Sequence, residues 1–431
     1  MDLLLPALLC TAAIVLWAGA VLPEYLVALL FFAGAMVAHL APPEVVFSGF
    51  FSAAFWLVLS GFVLGTAIRK VGLADRAATL LARRLSGSWL RLVAGVVLLT
   101  YGLAFVMPSN MGRIALLMPI VLALGERAGL QPGSRGQVGL ALAVGFGTFQ
   151  LSASILPANV PNLVMAGAAE AAYGVHLAYL PYLTLHAPVL GILKGVLLVG
   201  CIVWLFPARP GPIYKAVTPV LLSAAELRLS LLLLVTLALW VTDSVHGVAP
   251  AWVGLAAACL CLLPRVGFLT EQDFVSGVNF RTCIYLAGIL GLAALVARSG
   301  LGDRLGHAIL AVVPLHSDAP FRTFTTLIGI ASLLNFVVTA NGLPALFTPL
   351  AKLLAQGTGT NLITVLMIQV IGYATPLLPY QAAPVVVAMG IGKVPARDGL
   401  KLCLLVAAIT FVVLIPLDYL WFRCLGTWSA G

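Results

Sequence analysis

Four places in the 431-residue chain break long apolar runs with polar and helix-breaking residues. The first is Pro108-Ser109-Asn110-Met111-Gly112, followed directly by Arg113. The second gathers Thr148, Gln150, Ser152, Ser154, Pro157, Asn159, Pro161 and Asn162. The third carries Asn335, Thr339, Asn341, Gly342 and Pro344, and the fourth Thr375, Pro376, Pro379, Tyr380, Gln381 and Pro384. Proline removes an amide donor and frees a carbonyl upstream. A half-helix that starts at such a break aims free N–H groups and a positive dipole end at whatever lies ahead, which suits an anion. Freed carbonyls, with Asn, Ser and Thr oxygens beside them, suit a hard cation such as sodium. A single break of this kind is often a plain proline kink in a packed helix.

The breaks correspond in pairs because the chain is written twice. Val71-Gly72-Leu73-Ala74-Asp75-Arg76 matches Ser299-Gly300-Leu301-Gly302-Asp303-Arg304 at a separation of 228 residues. Asn110 matches Asn341 at 231, and Pro161 matches Pro384 at 223. One half runs over 1–206 and the other over 229–431, with a polar linker at 207–228. Two similar halves in an apolar chain are the mark of secondary transporters. Each half reads as three spanning helices, an amphipathic segment, an interrupted pair, a broken helix and a final helix. These fall near 4–20, 24–40, 51–68, 72–87, 89–124, 137–173 and 183–206. In the second half they fall near 229–244, 250–264, 279–297, 301–314, 323–356, 361–391 and 400–422.

The chain is 62% hydrophobic and 9% charged, far from the quarter that a soluble domain carries. Its apolar runs have the length a bilayer core demands. The expected fold is therefore an all-α polytopic membrane protein. The arms of 89–124 and 323–356 are too short to span, so each pair reads as a re-entrant hairpin. Each half then crosses five times, and the second half is inverted. Charge agrees with this layout. Placing 69–91 in the cytoplasm puts 16 basic residues inside and five outside, as the positive-inside rule requires. The first hairpin then enters from the inward side and the second from the outward side. The net charge of +9 is assigned to these loops, and no nucleic-acid partner is expected.

Catalytic constellations are absent from the sequence. No Ser sits in a G-x-S-x-G, no H-E-x-x-H occurs, and the six histidines show no ligand spacing. The seven cysteines lie scattered, mostly in apolar helices. The acids Asp75, Glu126, Glu226, Glu271, Asp273, Asp303, Asp318 and Asp398 fall in loops or amphipathic segments, with Glu170 and Asp418 alone inside helices and away from mid-span. Proton exchangers need a titratable carboxylate at the midplane, so its lack favours coupling through neutral oxygens. Arg113 is the one charge of its hairpin, open to two roles: bidentate grip on an anion or snorkelling to water. Lys194 reads as a structural lysine near an interface.

The layout and motifs resemble the divalent anion:sodium symporter family, within the ion-transporter superfamily of anion permeases. That family carries Ser-Asn-Thr at each hairpin tip. Here the tips read Ser109-Asn110-Met111 and Ala340-Asn341-Gly342. Asn159-Val160-Pro161-Asn162 is similar to the family's first broken helix, and Leu378-Pro379-Tyr380-Gln381 to its second. The threonine of both signatures is replaced, by Met111 and Gly342. The resemblance implies an inner-membrane, homodimeric, elevator-type carrier that moves a small di- or tricarboxylate or sulfate with sodium ions. The runner-up is a cation/proton or arsenite-type exchanger of the same superfamily. Substrate contacts are expected from Ser109, Asn110, Asn162, Thr339, Asn341, Thr375, Gln381 and Arg113. Sodium contacts are expected from Ser109, Asn110, Pro157, Asn159, Asn341, Gly342, Thr375 and Pro379.

Overall fold

The computed structural model describes residues 3–19, 21–73, 76, 88–211, 222–312 and 319–428. Most of the amphipathic segment expected at 72–87, and 212–221 of the linker, lie outside the described residues. Every regular element among the described residues is helical. Six helices are long and apolar enough to cross a membrane, and five shorter apolar ones accompany them.

The first half opens with α1 (Leu4–Ala18), α2 (Glu24–Val37) and α3 (Ala53–Val71). Ser52 starts α3, its Oγ accepting from the Phe55 amide at 3.2 Å, and Gly72 stops it at φ 88°. The second half repeats the device. After α9 (Ala224–Val241) and α10 (Pro250–Leu262), Asn279 starts α11 (Phe280–Ser299) by accepting from Thr282 N, and Gly300 stops it at φ 77°. Left-handed φ is open to glycine without steric penalty. The repeated glycine of the sequence is thus a repeated helix stop, followed in the second half by amphipathic α12 (Leu301–Val312).

Next come the hairpins. α4 (Trp89–Ala104) and α5 (Asn110–Arg127) have 16 and 18 residues, about 24 and 27 Å at 1.5 Å per residue, short of a roughly 30 Å core. The second hairpin, α13 (Pro320–Thr358), stays helical on both arms and turns at Thr339, where φ is 59° and ψ 170°. That region is almost closed to a β-branched residue and costs about 1–3 kcal/mol. The broken helices follow: α6 (Arg135–Gln150) and α7 (Val160–Tyr173), then α14 (Leu362–Tyr373) and α15 (Ala383–Ile391). Each half closes on a long helix, α8 (Tyr179–Leu205) and α16 (Ala396–Cys424). Both contain a π-helical stretch, Ala187–Leu193 and Thr410–Leu414.

The halves pack reciprocally, as a pseudo-two-fold relation requires. α2 lies on α11 while α10 lies on α3; α5 lies on α15 while α7 lies on α13; α8 meets α16. The fold is thus two inverted repeats, each with a re-entrant hairpin and a broken helix. Close approach depends on small residues: a Cβ on Gly145 of α6 would come within 2.6 Å of Ala388 Cβ on α15. Ion pairs join the halves beside the basic end of α3. Arg76 grips the Glu226 carboxylate through Nε (2.7 Å) and Nη2 (2.9 Å), and Lys70 pairs with Asp273. The Lys70 ammonium and the Thr270 hydroxyl and amide hold the Asp273 carboxyl well below the usual aspartate range.

Candidate functional site

At the first hairpin, Ser109 caps α5, its Oγ accepting from Gly112 N at 3.1 Å. This orients Asn110 in the first turn. Asn110 Nδ2 donates to Asn159 Oδ1 at 3.0 Å, and its Oδ1 accepts from Ser152 Oγ at 3.2 Å. The hairpin tip is thereby fastened to the break of the first broken helix.

Arg113 holds the same junction from behind. It is completely buried. Nη1 donates to Met107 O (2.6 Å), and Nη2 to Thr148 O (3.2 Å), Ala158 O (3.1 Å) and Asn110 Oδ1. No carboxylate pairs with it among the described residues. One guanidinium thus ties the tip, the end of α6 and the far side of the break. Carbonyl and amide oxygens surround it as they would a coordinated cation. Arg113 neither snorkels to water nor lines the cavity described below.

The second break has a counterpart. Lys194 of α8, fully buried rather than interfacial, donates from Nζ to Ala374 O (2.7 Å) and Thr375 Oγ1 (3.0 Å). These oxygens lie just past the C-terminal end of α14, where carbonyls lack helical partners. Both carboxyl oxygens of Asp418 of α16 are buried without a hydrogen-bond partner among the described residues. The acid that sequence reading set aside is therefore inside the protein.

Several polar residues of the breaks serve as internal braces. Asn162 Nδ2 reaches Ile155 O at 2.8 Å and Ala153 O at 3.2 Å, and its Oδ1 accepts from Tyr373 OH at 2.7 Å. Gln381 Oε1 accepts from the amides of Leu377 (2.6 Å) and Leu378 (2.8 Å). These bonds satisfy backbone groups that lipid could not. Gln381 Nε2, Asn159 Nδ2 and both amide atoms of Gln150 and Asn335 are buried without partners among the described residues.

A cleft opens in front of the tips. One wall is Pro108, Ser109, Asn110, Met111, Val160, Asn341, Ala383 and Pro384. The starts of α5, α7 and α15, and of the second arm of α13, therefore converge on it. Pro161 and Pro384 occupy the first turns of α7 and α15, where no helical amide bond is lost. Glu24, Val58, Phe62, Thr282 and Tyr285 complete the lining. Of the expected residues, Ser109, Asn110 and Asn341 line the cleft. Arg113, Asn159, Asn162, Thr375, Gln381, Pro157, Gly342, Thr339 and Pro379 do not. Glu24, Thr282 and Tyr285 escaped sequence reading. The available signal was a carboxylate at the very start of an otherwise apolar helix.

Comparison with known proteins agrees with this architecture. The family described as the sodium:sulfate symporter transmembrane region matches residues 5–428. The L-tartrate/succinate antiporters of Shigella flexneri and Escherichia coli K12 are each 27% identical over 399 residues, covering 87% of this chain and 79% of theirs. A Cupriavidus necator membrane protein is 23% identical over 394 residues, covering 88% and 76%. The solved Alcanivorax borkumensis YdaH transporter, reported for its unusual topology, shares the fold at a TM-score of 0.59 and 15% identity, covering 90% of this chain and 88% of its own. With its match running almost end to end, the chain belongs to the sodium:sulfate symporter transmembrane family of divalent anion carriers, multi-pass membrane transporters rather than enzymes.

Proposed function

We propose that the protein carries a small dianion, a di- or tricarboxylate or sulfate, across the inner membrane by an elevator motion, as a homodimer, with sodium as the coupling ion. The observation that carries this reading is the convergence of four helix starts and of Asn110 and Asn341 on one cleft. Free amides and positive dipole ends there favour a compact anion. Asn110 and Asn341 contact the substrate, with Ser109 beside them. Sodium is held at the second tip by Asn341, the Thr339 and Gly342 backbone and the buried Asn335 amide. The corresponding oxygens at the first tip already hold Arg113. Ser109, Asn110, Pro157 and Asn159 therefore bound a position filled by the chain's own cation.

A second reading is exchange of one anion for another without sodium. Arg113 and Lys194 favour it, because a basic side chain stands at each break. The L-tartrate/succinate antiporters among the relatives favour it too. Proteoliposome uptake of labelled succinate, tartrate, citrate and sulfate separates the readings. Net uptake driven by an inward sodium gradient supports symport. Uptake that needs anion inside and ignores sodium supports exchange. Liposomes that take up none of the panel overturn the anion reading.

A further inference from the structure

The cleft holds one charged side chain, and its sign is negative. Glu24 opens α2 in the same cleft as the hairpin tips, and no basic group pairs with it among the described residues. Its neighbours leave it uncompensated. Trp17 Nε1 donates to the Glu24 backbone carbonyl at 3.0 Å, not to the carboxylate. Arg281 of α11 is drawn instead over the Tyr25 ring, 5.8 Å from its centre. Tyr285 and Cys283 of α11 are buried, and Tyr285 stacks edge-on against Trp17. The tips contribute neutral Ser109, Asn110 and Asn341, with the Arg113 charge spent on the oxygens behind the tip.

Glu24 and the tip residues Ser109, Asn110 and Asn341 line one and the same cleft. An anion at the tips therefore feels the Glu24 carboxylate. Glu24 belongs to the α1–α2–α11 packing group, whereas the tips belong to the hairpins and broken helices. When the tips travel to the other side, Glu24 stays behind.

We propose that Glu24 is a stationary release carboxylate: it repels the bound anion only on the side where this cleft opens, lowers affinity there, and makes that affinity rise as the pH falls and Glu24 takes up a proton. The sign follows from linkage. Anion binding raises the proton affinity of a neighbouring carboxylate, and protonation raises anion affinity by the same factor. The proposal rests on the anion-carrier reading.

The test uses purified full-length protein and labelled sulfate, which stays a dianion over the range titrated. Affinity at the cleft side and exchange rate are measured between about pH 5 and pH 8 for wild type, Glu24→Gln and Glu24→Asp. Wild type and Glu24→Asp should bind about ten-fold more tightly at the acid end. Glu24→Gln should bind at neutral pH as wild type does in acid, with a flat profile and slower turnover wherever release limits exchange. A Glu24→Gln profile that follows wild type overturns the proposal. So does sodium strengthening binding to wild type alone, which would make Glu24 a cation ligand. Folding of each variant is checked by its thermal transition. Wild type that binds no sulfate, succinate or tartrate overturns the carrier reading itself, whereas binding with an unchanged variant overturns only the role of Glu24.

Discussion

At the residue scale the most informative side chain is Arg113. The sequence showed that it was alone in its hairpin, and burial of a charge marks a functional or structural demand. Its partners were not fully legible, because two of its four acceptors, Thr148 O and Ala158 O, are reached only after α5 packs on α6 and the break. Ser109, Asn110 and Asn341 were legible, since their type, breakers and repetition are local features. The two asparagines differ in what they do for the fold. Asn110 is tied to Asn159 and Ser152, whereas the half-buried Asn341 lines the cleft without a tie of this kind. Asn341→Ala should leave the thermal transition within about 0.5 kcal/mol of wild type while cutting uptake more than ten-fold. Normal uptake in this variant removes Asn341 from the site. Arg113→Ala strands buried oxygens and should destabilise by about 3–5 kcal/mol. Because those oxygens suit a hard cation, added sodium should restore part of the loss in Arg113→Ala and none of it in wild type. A sodium response shared by both proteins would show that Arg113 does not occupy a cation position.

At the element scale, prolines and glycines located the breaks but not how they are held open. Asn162 and Gln381 look in sequence like donors for a ligand, because both are amides beside a proline. In the folded chain they satisfy the backbone of the break, a demand created by burial that a one-dimensional pattern does not display. The turn near Thr339 was expected, but its backbone was hidden: the arms of α13 remain helical around it, and its positive φ is imposed by the hairpin rather than by the residue type. Asn162 and Tyr373 make the link between the two broken helices, through a buried 2.7 Å bond. Tyr373→Phe removes that donor and should destabilise by about 1 kcal/mol. Asn162→Leu also strands the carbonyls of Ala153 and Ile155 and should cost about 3 kcal/mol. A double-mutant cycle should then return a coupling of about 1 kcal/mol. Additive losses would mean that the two breaks are held independently and that Asn162 stabilises only its own.

At the scale of the whole molecule, the repeat and its inversion were legible because spacing and loop charge are global sums that tolerate local error. The exchange of partners between halves was not, since it depends on which faces meet. That exchange sorts the described helices into two groups. α2, α3, α10 and α11 pack on one another and the hairpins pack on the broken helices, the groups touching where α11 meets α7 and α13 and where α3 meets α7, and both groups line the cleft. An elevator motion requires these groups to slide past each other, and the cleft is where sliding can be stopped. Val58 of α3 and Met111 of the first tip both line it. Paired cysteines at these two positions, in a background with the exposed Cys259 and Cys424 replaced, should be bridged by mercuric ion. Bridging should abolish anion exchange, and excess thiol should restore it. Each single cysteine variant should tolerate the same treatment, because blocking one wall does not join the groups. Full bridging with exchange at the wild-type rate would mean that Val58 and Met111 keep their separation throughout the cycle. The cleft would then lie within one rigid body, and the substrate would have to cross by local gating at the tips.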